Sequence, residues 1–218
     1  MRGHGRSGRA RGRYLPEHYF RDTAEYLSAR FDEPVAIFGH SAGGLAALWC
    51  AAEYPGRVRA VINGDLFCSS ERLAALIRHP RSVAFYREAK TLASQPIERI
   101  LTSELANSIP EAGRTTWAEA LNQLDPETMS YHARGAGDAY VESVDVGGIL
   151  TRISCPVLLL SGDPAYGGIM NDEDVAVACS RLRDACHVRL KGVGHNLGLF
   201  SGAADPLLRA MGEFLQAL

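Results

Sequence analysis

This sequence of 218 residues predicts an α/β architecture: a parallel sheet of about four strands flanked by helices, with an all-helical insertion. Three observations carry that expectation. Four short apolar or β-branched runs (35–38, 58–62, 155–160 and 187–190) alternate with helix-length segments, the pattern of parallel strands joined by right-handed crossovers. The runs lead into turns that bear Ser41, Asp65, Asp163 and His195. Between Leu66 and Leu150, by contrast, apolar residues keep only helical spacing.

In order along the chain, Met1 to Arg13 is basic and glycine-rich, with no acid before Glu17. Read alone, it has the composition of an arm for nucleic acid or of a transit peptide. No amphipathic helix or stacking aromatics accompany the charge, however, so no nucleic-acid partner is expected. From Pro16 to Arg30 a helix is predicted, with Phe20, Ala24, Leu27 and Phe31 on one side. Pro34 opens the Val35–Phe38 strand, and Leu45–Ala52 forms an apolar helix that Pro55-Gly56 ends. The next strand, Val58–Ile62, closes at Asn63-Gly64-Asp65. Leu73, Leu76 and Ile77, then Ile97, Ile100, Leu101 and Leu105, mark helices punctuated by Pro80, Pro96, Pro110 and Pro126. Strands resume at Cys155–Leu160 and His187–Leu190. Asn171 is placed to cap a helix carrying Val175, Ala178, Cys179 and Leu182 on one face. Asp205-Pro206 reads as cap and first-turn proline of the closing helix. The expected division is a core of 1–65 and 151–218 with a helical cap of 66–150.

Hydrophobic content of 46% and a net charge of −2 describe an ordinary globular chain with no polyionic partner indicated. No apolar run approaches the ~20 residues of a membrane span, and the first residues lack a secretory apolar region. The five cysteines include no C-x-x-C pair, so reduced thiols, a cytoplasmic setting and no metal site are expected.

The chemistry centres on Gly39-His40-Ser41-Ala42-Gly43, set between a strand and a helix. A strand turning straight into a helix holds its middle residue in a strained conformation, with glycines letting neighbouring backbone pass. Ser41 is then exposed at the positive end of the following helix, with the Ala42 N–H aimed at any oxyanion formed there. A serine hydroxyl needs an imidazole to take its proton and a carboxylate to orient that imidazole. His195, in Gly192-Val-Gly-His195, is the candidate base. Asp163 is the favoured acid and Asp65 the alternative. Asp163 in Ser-Gly-Asp-Pro also reads as a turn or cap residue. His40, Phe67 and Asn196 are pocket candidates, and His40 within the bend is poorly placed to be the base.

Together, Arg2-Gly-His-Gly-Arg-Ser7, Gly39–Gly44, the Pro156–Asp163 strand and turn, and Gly192–His195 resemble the α/β-hydrolase fold family, specifically its lidded esterase-like members. The order Ser, Asp, His is that family's. The resemblance implies Ser41 as nucleophile, Asp163 as acid, His195 as base and Ala42 as one oxyanion donor, with no cofactor and a small-molecule acyl substrate. It also implies that the basic opening is a loop near the active site. Hydrolysis of a small carboxylic ester through an acyl-enzyme is the expected function, with C–C bond hydrolysis or perhydrolase activity as alternatives on the same triad. The chain begins where the family's fourth strand has ended, which implies an N-terminally truncated gene model lacking four strands and the second oxyanion donor. Val35–Phe38 is then an apolar sheet edge through which copies could associate, and a weakly active or non-catalytic binding fragment is the contrasting expectation.

Overall fold

The computed structural model describes residues 1–66, 69–200 and 202–218. Four parallel strands, β1 (Val35–His40), β2 (Val58–Gly64), β3 (Val157–Gly162) and β4 (Ala185–Leu190), form one sheet in the order β1-β2-β3-β4. The sequence predicts this sheet, although each strand is shifted or extended by a few residues. β1 is one edge of the sheet, where Phe38 is 36% exposed, and β4 is the other.

The chain divides into two compact units. The sheet unit comprises 20–69, 145–199 and 203–218. β3 is buried along its whole length, as a strand paired on both sides must be in a parallel sheet. Ile62, Leu158, Leu160, Leu190, Leu197, Leu207 and Ala210 make one continuous core beneath it. Helix α1 (Pro16–Arg30) buries Phe20, Ala24 and Leu27, with Phe20 against Trp49. Helix α2 (Ala42–Glu53), made almost wholly of small and apolar residues, is buried on most sides, from Gly44 to Ala52. α10, Val146–Thr151, belongs to this unit as well.

The other unit comprises 1–19, 70–144 and 200–202. Its helices are α3 (Ser70–Arg78), α4 (Pro80–Leu92), α5 (Ile97–Leu101), α6 (Glu104–Asn107), α7 (Glu111–Asn122), α8 (Ser130–Ala133) and α9 (Gly137–Glu142). Each proline acts where its missing N–H costs nothing: Pro80 in the first turn of α4, Pro96 and Pro110 capping α5 and α7, Pro126 opening a 3-10 turn. Ala89, Leu92, Ile100, Leu105, Ala118 and Leu121 form its core.

The division departs from the expected one at two places. The first nineteen residues group with the helices, not with the sheet, because their polar groups are satisfied there. Asp125 N–H donates to the Gly3 carbonyl at 2.8 Å, and the Tyr14 hydroxyl donates to Asp125 Oδ2 at 2.6 Å. At the other boundary, the buried Ile149 and Leu150 draw α10 into the sheet unit.

Two further helices complete the sheet unit. α11 (Asp172–Arg181) starts with the capping box that Asn171 foreshadows, its side chain accepting from Asp174 N–H while the Asp174 carboxylate accepts from Asn171 N–H. In α12 (Asp205–Gln216) the cap is Ala204, with no side-chain bond, and Asp205 is the first helical residue. No described helix is long and apolar enough to cross a membrane.

Candidate active site

The bend between β1 and α2 puts Ser41 at φ 54° and ψ −126°, a backbone conformation that a non-glycine residue holds only under constraint. The constraint is visible: Ser41 N–H donates to the Gly64 carbonyl at 2.8 Å, and the Ser41 carbonyl accepts from Gly44 N–H at 2.8 Å. A Cβ at Gly39 would lie 2.1 Å from the Gly43 carbonyl oxygen, so glycine is required there. Gly43, the other glycine of the pattern, has no neighbour within 4 Å of such a Cβ. The close approach on the helix side is made by Gly44, whose Cβ would come 2.6 Å from Asn63 Nδ2. The close approaches are therefore at Gly39 and Gly44, and of the two glycines of the pattern only Gly39 is sterically required.

The imidazole of His195 sits over this bend. Its Nε2 is 3.0 Å from Ser41 Oγ and its Nδ1 is 2.9 Å from Asp65 Oδ2. An ionised carboxylate only accepts, so Nδ1 carries the proton and Nε2 is free to accept from the hydroxyl. The three side chains thus form one hydrogen-bonded line.

Asp65 is wholly buried. It is held by a cradle of amides from the end of β3 and the β3–α11 connection: Oδ1 accepts from Gly162 N–H (3.0 Å) and Met170 N–H (3.2 Å), and Oδ2 from Ile169 N–H (2.8 Å). Three amide donors and an imidazole compensate the cost of taking a carboxylate out of water. The residue itself stands at φ 49°, and its own N–H donates to the Leu160 carbonyl at 2.7 Å, fixing the turn that directs the side chain inward.

This geometry corrects the expected acid. The carboxylate against His195 belongs to Asp65; that of Asp163 is committed elsewhere. Asp163 caps the 3-10 turn Pro164–Tyr166, its Oδ1 accepting from Ala165 N–H at 3.0 Å and its Oδ2 from Gly192 N–H at 3.2 Å. The Asp-Pro pair that follows β3 is a cap signature, and it keeps that carboxylate occupied with its own turn.

Of the other expected site residues, His40 is adjacent to the line, donating Nε2–H to the His195 carbonyl at 2.7 Å. Burial holds its imidazole below the ordinary histidine pKa. Ala42 is exposed at the first turn of α2. Asn196 is exposed, and its carbonyl accepts from Leu199 N–H. Phe67 lies outside the described residues. The sequence does not reveal Gly162, Ile169 and Met170 as partners of the Asp65 carboxylate. They act through main-chain N–H groups, which leave no mark in residue identity.

Chemically, a hydroxyl bonded to a neutral imidazole, itself bonded to a buried carboxylate, is arranged to lose its proton as it attacks an electrophilic carbon. A family model described as "Alpha/beta hydrolase family" matches residues 1–210. Among curated proteins, a pimeloyl-[acyl-carrier protein] methyl ester esterase of Neisseria meningitidis serogroup B is 29% identical over 185 residues, covering 78% of this chain. The chain spans 62% of that relative's length. Among solved structures, an E-2-(acetamidomethylene)succinate hydrolase aligns over 99% of this chain and 79% of its own, at 24% identity and a TM-score of 0.75. A thermophilic esterase from Thermogutta terrifontis aligns over 100% and 78%, at 19% identity and a TM-score of 0.68. These two likenesses are of fold.

Proposed function

Because this chain belongs to the alpha/beta hydrolase family, we propose that it hydrolyses a carboxylic ester through an acyl-enzyme formed on Ser41. The observation that carries the reading is the line Ser41–His195–Asp65, with contacts of 3.0 and 2.9 Å and its acid wholly buried. Ser41 Oγ attacks the acyl carbon while His195 Nε2 takes the hydroxyl proton. Asp65 keeps Nδ1–H pointed at itself and offsets the positive charge that the imidazole gains. The Ala42 N–H, at the amino end of α2, donates to the developing oxyanion, aided by the helix dipole. His195 then returns the proton to the leaving alkoxide, and a water activated by the same nitrogen releases the acid.

The curated relatives act on the methyl ester of a carrier-bound pimeloyl group. A methyl or other small alkyl ester of a longer acyl chain is accordingly the substrate class proposed here. The test is labelling by a fluorophosphonate, together with hydrolysis of methyl and p-nitrophenyl esters of graded acyl length. Labelling and turnover that both vanish in Ser41→Ala are expected. A folded protein that neither labels nor turns over any of these esters overturns the reading.

A further inference from the structure

We propose that Asp163, which the resemblance to the family implies as the acid, is instead the positioning residue that sets the distance between the acid and the base. The proposal rests on the reading of Ser41, His195 and Asp65 as the reacting line. Its ground is that Asp163 bonds within the loop that cradles the Asp65 carboxylate and also to the loop that carries His195. One is the β3–α11 connection, which supplies Ile169 and Met170 N–H to the Asp65 carboxylate beside that of Gly162 at the end of β3. The other is the loop after β4, which carries His195.

On the first loop, Asp163 Oδ1 accepts from Ala165 N–H at 3.0 Å, and its carbonyl accepts from Tyr166 and Gly168 N–H, both at 2.9 Å. These bonds close the turn that immediately precedes Ile169 and Met170. On the second loop, its Oδ2 accepts from Gly192 N–H at 3.2 Å and its own N–H donates to the Val193 carbonyl at 2.7 Å, two residues before His195.

The two loops pack backbone to backbone around these bonds. A Cβ at Gly194 would meet the Tyr166 carbonyl oxygen at 2.0 Å, and one at Gly162 would meet the Gly194 carbonyl oxygen at 2.5 Å. The β3–β4 pairing ends at Gly162 and Leu190, and beyond it the Asp163 carboxylate adds a side-chain link between the two loops at Gly192. Removing its carboxylate frees the Gly192 and Ala165 N–H groups and lets the loops part. His195 Nδ1 and Asp65 Oδ2 then lose the separation at which they bond.

The test uses the full chain. Its readouts are kcat and KM for an accepted ester and the low-field proton resonance of His195 Nδ1–H. Asp163→Ala is expected to lower kcat about 10- to 100-fold, the scale of a small misplacement of reacting groups, with KM nearly unchanged. The Nδ1–H resonance should broaden or move upfield. Asp163→Asn keeps an oxygen for Ala165 N–H but turns an amide donor toward Gly192 N–H, so it isolates the second link and should move both readouts the same way. Asp145→Ala removes a comparable cap at α10, where Asp145 Oδ1 accepts from Gly148 N–H at 2.8 Å, and should leave the resonance in place.

Wild-type kcat and an unmoved resonance in both Asp163 variants overturn the proposal. So does an equal change in Asp145→Ala, which would mark general loosening. A loss in Asp163→Asn as deep as that in Asp65→Asn, with the resonance abolished, overturns it in favour of Asp163 as the acid. If wild-type protein hydrolyses no ester, the functional reading falls, while the resonance alone still decides whether Asp163 positions His195.

Discussion

His40 and His195 lie with ring centroids 4.8 Å apart, and the Nε2–H of His40 donates to the main-chain carbonyl of His195 across 2.7 Å. The residue beside Ser41 thereby holds the backbone of His195. His40→Phe keeps the ring and removes the donor, leaving that carbonyl unmatched. An ordinary hydrogen bond contributes about 0.5–1.5 kcal/mol, so kcat/KM should fall up to about tenfold. His40→Gln, which can still donate, should recover part of the loss in steady-state kinetics.

Asp65→Asn should be far more damaging. An amide at this position presents an NH2 group to three amide donors and the imidazole, so part of the cradle becomes donor against donor. The imidazole also loses the partner that selects its tautomer. The corresponding change in serine proteases lowers kcat by about 10⁴, and a loss of roughly 10³–10⁴ is expected here. Ester turnover measured beside circular dichroism separates this from unfolding.

Glycine replacement at the bend should split sharply. Gly39→Ala drives a Cβ to 2.1 Å from main-chain oxygen and should destabilise the protein by roughly 1–3 kcal/mol or more, with loss of labelling. Gly43→Ala enters open space within α2 and should raise stability by about 0.5–1 kcal/mol through helix propensity. Urea unfolding of the two variants measures both.

The helical unit carries its own pH dependence. His132 lies between Tyr86 and Tyr140, at centroid distances of 4.4 and 4.8 Å, and burial pushes its pKa down to about 4. Once unfolded, the ring titrates near the ordinary 6.5, so between those values the unfolded chain binds the extra proton. Stability is therefore full above about pH 6.5 and declines as pH falls toward 4, by on the order of 2 kcal/mol from this group. Unfolding at pH 7 and pH 4.5 should show that slope, and His132→Phe should flatten it.

Much of this was legible in the residues. Four strands, the serine bend, the proline-punctuated helices and the Asn171 cap all follow from local patterns whose physics is local. Which carboxylate meets His195 did not. Asp65 and Asp163 both end strands, and what separates them is which carboxylate meets amides from a loop 97 to 105 residues away in sequence. The cap signature of Asp-Pro was the available clue, and it argued against Asp163. The placement of the first nineteen residues was hidden for a similar reason: Tyr14 finds Asp125 across 111 residues, and composition alone says nothing of such pairings.

The serine–histidine–aspartate line draws every one of its described hydrogen bonds from the sheet unit, with none contributed by residues 70–144. A side-chain substitution within those seventy-five positions therefore removes none of the hydrogen bonds described for that line, so surface changes there can accumulate while its geometry stays as it is.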